Sequence, residues 1–213
     1  MKRGIVYGLI FLFAITTSGM AQQRWSAGPR LGLNLSTFVG DVDNNKLLPG
    51  VTAGGFIMYS DINHFGVSAD LLFSQRGSRY KISDPTREFK FTQRINYLEV
   101  PVLFRYFLNL SGNFRPNLFL GPNLGIKLNA TRTDPDRKYD NGNIFRPADL
   151  GATVGLSLNF RVKEAQRLHL DARYTLGLSD ITDPAKAPTP DGNVRNSTIS
   201  FLVGYGFGIG RRY

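Results

Sequence analysis

The sequence predicts an all-β chain, an eight-stranded antiparallel up-and-down transmembrane β-barrel behind a cleaved signal peptide. Three observations predict it: a closing strand, an alternation of long and short connections, and an export signal. From Ser197 to Tyr213, Ile199, Phe201, Val203, Tyr205, Phe207 and Ile209 fall on one side, and Thr198, Ser200, Gly204, Gly206 and Gly208 on the other. A final strand that is apolar outward and small or polar inward is what a membrane barrel needs in order to close.

The chain opens with Lys2 and Arg3, an apolar stretch from Ile5 to Ile15, and the small-residue pattern Gly19-Met20-Ala21. This reads as a signal peptide over 1–21, cleaved after Ala21, with a barrel domain over 22–213. The apolar stretch is shorter than the roughly 20 residues of a membrane-spanning helix. An exported chain that spans a membrane without helices must be a closed barrel, so the expected location is a Gram-negative outer membrane. The chain has no cysteine, which removes disulfides, thiolate metal sites and thiol nucleophiles.

Period-two alternation marks strands near 24–38, 49–60, 64–77, 93–108, 114–130, 148–163, 166–178 and 197–212. The connections 39–48, 78–92, 131–147 and 179–196 are long and rich in Asp, Asn, Pro and Gly; 61–63, 109–113 and 164–165 are short. Outer-membrane barrels pair short periplasmic turns with long external loops, so both mature termini are expected in the periplasm.

A lipid-facing position must be apolar, whereas an inward one is free to be polar. On that rule Leu98, Val100, Val102, Phe104 and Tyr106 face outward, as do Leu118, Leu120, Leu124, Ile126 and Leu128 on the next strand. Segment 49–60 leaves two assignments open, because Val51, Ala53, Ile57 and Tyr59 compete with Phe56 and Met58. Trp25, Tyr106, Phe114, Phe160 and Tyr213 fall near the periplasmic ends with outward parity and read as an interfacial aromatic girdle.

The same parity turns Arg30, Asn34, Ser68, Asp70, Glu99, Arg105, Asn123, Lys127, Asn159, Arg161, His169, Asp171 and Arg173 inward. Eight strands enclose room only for side chains, so these charges must satisfy one another or trapped water. The expected result is a structural polar network of Arg30, Asp70, Glu99, Arg105, Lys127, Arg161, His169, Asp171 and Arg173. Within it Glu99 is expected near Lys127, and Asp171 near Asn159 and Arg161.

His169, Asp171 and Ser68 or Ser200 supply the residue types of a hydrolytic triad. However, His169 and Asp171 lie two apart on one strand face, a poor geometry for orienting an imidazole, and no Gly-x-Ser-x-Gly context surrounds either serine. The expectation is therefore no enzyme, no catalytic residue and no cofactor. Asp41, Asp43 and Asn45, and Asp134, Asp136 and Asp140, have oxygen-ligand spacing. Pro135 and Phe145 break the calcium-loop pattern in the second group, so no metal site is expected and the carboxylates read as solvated turns.

The full chain has 26 basic and 16 acidic residues; loss of Lys2 and Arg3 leaves 24 against 16, a net charge of +8. The basic residues are dispersed, which argues against nucleic acid as a partner. Arg76, Arg79, Lys81, Arg87, Lys90 and Arg94 gather around the 78–92 connection, where lipopolysaccharide phosphates would be the nearest anions, although Asp84 and Glu88 make a mixed solvated loop the simpler reading. Outer-membrane lipid and other envelope proteins complete the expected partners.

The segments ADLLFSQRG (69–77), NYLEVPVLFRYF (96–107) and LGPNLGIKL (120–128), with LGLNLS (31–36) and RYTLGLSDI (173–181), resemble the PorT-like outer-membrane β-barrel family. The resemblance spans the mature chain and is most specific at Tyr97-Leu98-Glu99-Val100-Pro101. It implies the barrel and the membrane. It also implies, as an alternative to a structural or binding barrel, an accessory role in type IX-like protein secretion or outer-membrane assembly; a lipid- or peptide-hydrolysing barrel ranks third. From the residues themselves, Pro101 removes a ladder donor and is expected at a kink beside Glu99, while inward Gly121 and Gly125 leave room for Tyr97.

Overall fold

The computed structural model describes residues 25–42, 44–61, 63–84, 87–183, 185–186 and 193–209. The expected signal peptide, Asp43 and Tyr213 lie outside these residues. The elements are β1 (Trp25–Gly40), β2 (Asn45–Lys46), β3 (Leu48–Ser60), β4 (Phe65–Asp84), β5 (Arg87–Phe107), β6 (Phe114–Thr133), β7 (Lys138–Asp140), a 3-10 turn (Gly142–Ile144), β8 (Ala148–Lys163), β9 (Gln166–Gly177) and β10 (Val194–Ile209). Eight long antiparallel strands close in the order β1-β3-β4-β5-β6-β8-β9-β10, with β10 back on β1. Closure satisfies the backbone inside the sheet and leaves no edge.

The alternation in sequence becomes the inside and outside of this ring. Leu31 and Leu33 are 64% and 63% exposed, whereas Arg30 and Asn34 on either side of them are 1% exposed. An exposed apolar band with a buried polar interior is the inverse of a water-soluble core and matches a lipid-facing surface. The ambiguous segment resolves on β3, where Phe56 and Met58 are buried and Val51 and Ile57 are exposed. Short connections and both described chain ends lie at one end of the ring, here the turn end; the longer connections lie at the other, the loop end.

At the turn end the girdle rings meet in pairs across neighbouring strands. Trp25 lies 5.1 Å from Tyr59, Phe65 5.5 Å from Tyr106 and Phe114 5.0 Å from Phe160, between ring centroids. Each pair bridges a rung of the ladder, and the pairs do not converge on one another.

Several expected boundaries move. β4 and β5 run on as a ribbon to Asp84 and from Arg87, so most of the expected 78–92 loop is paired strand. The first long loop contributes β2, which pairs with Arg79 and Tyr80. The register shift on β5 falls at Asn96/Tyr97 and not at Pro101. Pro101 instead faces inward, and the β4–β5 ladder passes it with unchanged register, resuming at Leu72↔Glu99 after Ala69↔Val102. Gly125 does make room for Tyr97, since a Cβ there would sit 3.3 Å from Tyr97 Cδ1; at Gly121 a Cβ would collide with the Val102 carbonyl oxygen at 2.0 Å.

Gly155 is confined by both backbone and a ring in the lumen. A Cβ on it would lie 2.3 Å from the Ala172 carbonyl oxygen and 2.6 Å from Phe119 Cζ. Phe119 is thereby free to cross the interior beneath Arg105. Gly155→Val should destabilise the barrel by more than the ~1–3 kcal/mol typical of overpacking, because backbone as well as a ring must shift. Heat-modifiable gel mobility checks this: the folded band should be lost at a markedly lower temperature than in the wild type.

Candidate functional site

Inward parity on five strands brings eight charged groups together in two layers. Nearer the turn end, Arg30 on β1, Arg105 on β5 and Arg173 on β9 surround Asp70 on β4 and Asp171 on β9. Arg30 meets Asp70 at 2.8 Å and Asp171 at 3.1 Å; Arg173 meets Asp70 at 2.7 Å and Asp171 at 2.8 Å; Arg105 reaches Asp171 at 3.7 Å. Arg105 also donates to Ser68 Oγ at 2.8 Å and Asn117 Oδ1 at 2.9 Å, and the Ser157 hydroxyl donates to Asp171.

Nearer the loop end, Arg76 on β4 lies 2.6 Å from Glu99 on β5 and 3.7 Å from Asp149 on β8. Asn123 donates to Glu99 at 3.3 Å, and Asn196 donates to Asp149 at 2.8 Å and to the Tyr97 hydroxyl at 3.2 Å. Three guanidiniums face two carboxylates in the first layer, and one faces two in the second. Each layer is off balance by one unit of opposite sign, so together they are neutral. Burying this many charges is tolerable only with such pairing and hydrogen bonding.

Aromatic faces complete the plug. Arg30 stacks over Phe56 at 4.3 Å, and Arg105 and Arg173 over the Phe119 ring at 4.6 and 5.4 Å. These contacts use guanidinium planes in a way a lysine ammonium does not. Between the layers a void of about 10 Å³, beside Asn34, Ser74, Glu99 and Arg173, is barely the size of one water.

Above the second layer the long loops form an apolar lid. Phe145 and Ile181, from the β6–β8 and β9–β10 connections, are buried with Phe38, Ile95, Tyr97, Ala130 and Val194. The two connections are zipped by Arg146 N–H to Ile181 O at 2.8 Å and Asp183 N–H to Ile144 O at 2.9 Å, and Ile181 N–H donates to Val194 O on β10 at 2.8 Å. Burial pushes the Asp180 carboxyl up, but donation from the Thr182 backbone and hydroxyl and from the Val194 N–H outweighs it and holds the group below the usual carboxylate range.

Below the first layer the lumen opens at the turn end as a vestibule of about 210 Å³ lined by Met58, Phe107, Arg115, Asn159, Arg161, Arg167 and His169 among others. The lumen is therefore sealed at one end, filled in the middle and open at the other.

Seven of the nine expected network residues take inward, buried positions: Arg30, Asp70, Glu99, Arg105, His169, Asp171 and Arg173. Two do not fit. Lys127 is only half-buried and turns up to the lid, donating to the Gly142 and Phe145 carbonyls, so Glu99 pairs with Arg76 instead. On the β5–β6 ladder Glu99 stands opposite Gly125 and Lys127 opposite Tyr97, so Lys127 sits one inward position nearer the loop end than Glu99, while Arg76 turns inward beside Glu99. Arg161 is exposed at the vestibule mouth, too near the strand end to reach Asp171. The residue opposite Asp171 is Ser157, while Asn159 faces His169.

Arg76, Asp149 and Phe119 were absent from the expected network. Parity continued from Ser74 to Arg76, and from Thr153 through Gly151 to Asp149, would have found the first two. The triad residue types do not assemble: the Asp171 carboxylate is engaged by arginines, and neither nitrogen of His169 has a hydrogen-bond partner, its ring packing edge-on to Phe56 at 5.1 Å. Of the acidic loop residues, Asp134 accepts from Arg132 at 2.9 Å and Asp140 from the Gly142 N–H at 2.7 Å, so each carboxylate serves its own turn.

Asp171→Ala should cost about 3–5 kcal/mol, because it leaves Arg30, Arg105 and Arg173 buried around a single carboxylate. His169→Ala removes no hydrogen bond and should lower the melting temperature far less. Thermal unfolding followed by gel mobility distinguishes the two; equal losses would contradict the assignment of Asp171 as the hub.

Comparison with known proteins places this geometry. A family model described as "Outer membrane protein beta-barrel domain" matches residues 20–183. Among solved structures, Neisserial surface protein A is similar with a TM-score of 0.50 and 11% identity, over 90% of this chain and 100% of that one. OprG from Pseudomonas aeruginosa gives 0.50 and 12%, over 91% and 99%. The attachment invasion locus protein Ail of Yersinia pestis gives 0.45 and 17%, over 86% and 99%. A search of curated proteins finds no matching sequence. At these identities the structural likeness speaks to fold alone, whereas the family model covers most of the chain: the protein belongs to the outer membrane β-barrel domain family.

Proposed function

We propose that this outer-membrane barrel is a non-conducting, non-enzymatic envelope element that acts as a structural or binding protein through its loop end, with the turn end and both mature termini in the periplasm. The observation that carries this reading is the lumen itself, blocked by a neutral charge network and roofed by Phe145 and Ile181. A filled lumen leaves recognition to the outer surface.

That surface offers one chemistry. Outward positions on the β2–β4 face, beyond the apolar band, carry Lys46 directly opposite Arg79. Like charges across a rung are destabilising, and anionic groups between them offset the cost. Lipopolysaccharide phosphates in the outer leaflet are the partner this reading assigns to the face. The orientation rests on the long-loop, short-turn rhythm. A secretion or assembly role draws on the PorT-like resemblance alone, and a hydrolytic role on residue types alone; no contact among the described residues favours either.

Two measurements check the proposal. Purified protein in planar bilayers should give no sustained single-channel steps, and steady steps from the wild type would contradict the plug. Single cysteines at Asp136 or Lys186 should label from outside intact cells while those at Asn63 or Ser111 should not; the reverse pattern would invert the orientation.

A further inference from the structure

The two charged layers account for four arginines. Three more face the lumen at its open end, and the plug does not use them. Arg161 on β8 and Arg167 on β9 are partners on the same rung, both with inward parity, and Arg115 on β6 sits beside them, its neighbour Asn159 being two residues from Arg161. Like charges directly opposite one another cost stability. One lining carboxylate, Glu164, faces the three guanidiniums, so the mouth keeps an excess of positive charge.

These groups surround a formed cavity. The 210 Å³ vestibule has Arg115, Arg161 and Arg167 around its mouth, and Asn159 and His169 at its inner end. Arg167 has a buried Nη1 with no hydrogen-bond partner. His169 is fully buried, and both of its ring nitrogens are also without one. Buried polar atoms in native folds have partners, and those left over in a cavity wall mark where a ligand or water supplies them. Apolar walls from Met58 and Phe107 limit competition from solvent, and Arg115 is braced by stacking over Phe107 at 4.8 Å. Gly206 keeps the inner end open, since a Cβ there would lie 2.7 Å from His169 Nε2.

We infer that the turn-end vestibule is a binding site for an oxyanion, a phosphate or carboxylate group, held by Arg115, Arg161 and Arg167 with His169 at its inner end. Guanidiniums present paired donors that match such oxygens, and charge-assisted hydrogen bonds of this kind are the strong ones. In the orientation proposed above the ligand comes from the periplasmic side, either as a free anion or as the headgroup of an inner-leaflet phospholipid. The site itself does not depend on that orientation.

The chain carries two histidines, so side-chain ¹⁵N-histidine NMR reports the site with His64 as an internal control. Full-length barrel in phosphatidylcholine nanodiscs is titrated with inorganic phosphate at constant ionic strength. The His169 signal should move saturably while that of His64 stays, and Arg167→Gln should weaken the response at least about tenfold, the effect of losing one hydrogen bond to a charged group. Arg167→Lys should restore part of it. A His169 signal already displaced in phosphatidylglycerol nanodiscs without phosphate supports the same chemistry and assigns the headgroup as its source. Should Arg167→Gln fail to show the folded gel band, the exposed Arg161→Gln replaces it. A His169 signal unmoved by both phosphate and phosphatidylglycerol, or phosphate affinity unchanged in a folded arginine variant, overturns the proposal.

Discussion

An eight-stranded ring is wide enough for side chains and too narrow for a water column, so every charge that alternation turns inward must find its counter-charge inside the ring. Arg30, Arg105, Arg173 and Arg76 do so against Asp70, Asp171, Glu99 and Asp149. Most of these pairs join non-adjacent strands: Arg30 on β1 with Asp70 on β4 spans β3, and Arg30 with Asp171 on β9 spans β10. Backbone ladders tie each strand to its neighbours; these bridges tie the ring across its bore. A one-residue slip in any strand would carry its charge from the bore to lipid, so the network also penalises wrong registers.

The neutrality of the two layers together, and of neither alone, links them. Arg76 carries two carboxylates and is, among the described residues, the one cation of its layer, while the excess guanidinium charge of the first layer lies below it. Above, the loop connections exclude water with Phe145 and Ile181. Below, the vestibule is where the same inward parity continues past the point at which counter-charges are available. Plug, lid and vestibule are thus three consequences of one alternation meeting three surroundings: a crowded bore, a folded-over loop cap and an open mouth.

Most of this was legible in sequence wherever only parity was needed. Arg30, Asp70, Arg105, Asp171 and Arg173 were assigned inward by counting alternate residues, and β8 spans the residues the sequence predicts. Depth was harder, because which charges share a level depends on strand tilt and stagger, and a bulge at Asn96/Tyr97 offsets one strand pair by a residue. The Glu99–Lys127 pairing failed on stagger: the ladder sets Lys127 opposite Tyr97, one inward position above Glu99, where it turns to the lid carbonyls. The lid was not legible either, since Phe145 and Ile181 sit in segments whose Asp, Asn, Pro and Gly content reads as solvated loop, and their burial comes from the connections folding over Phe38, Ile95, Tyr97, Ala130 and Val194. Arg76 was assigned to a basic loop because the sequence gives no boundary where the β4–β5 ribbon continues beyond the barrel.

The claim that mutual neutralisation holds the bore together is tested most directly by a double-mutant cycle on Asp70 and Arg173, 2.7 Å apart and both buried. Thermal unfolding would be measured for Asp70→Leu, Arg173→Met and the two combined, in the same lipid. The double variant restores charge balance, so it should be more stable than Asp70→Leu alone, with a coupling energy of about 1–3 kcal/mol. Losses that simply add would contradict the account, because they would mean that the two residues contribute packing and that charge balance in the bore is incidental.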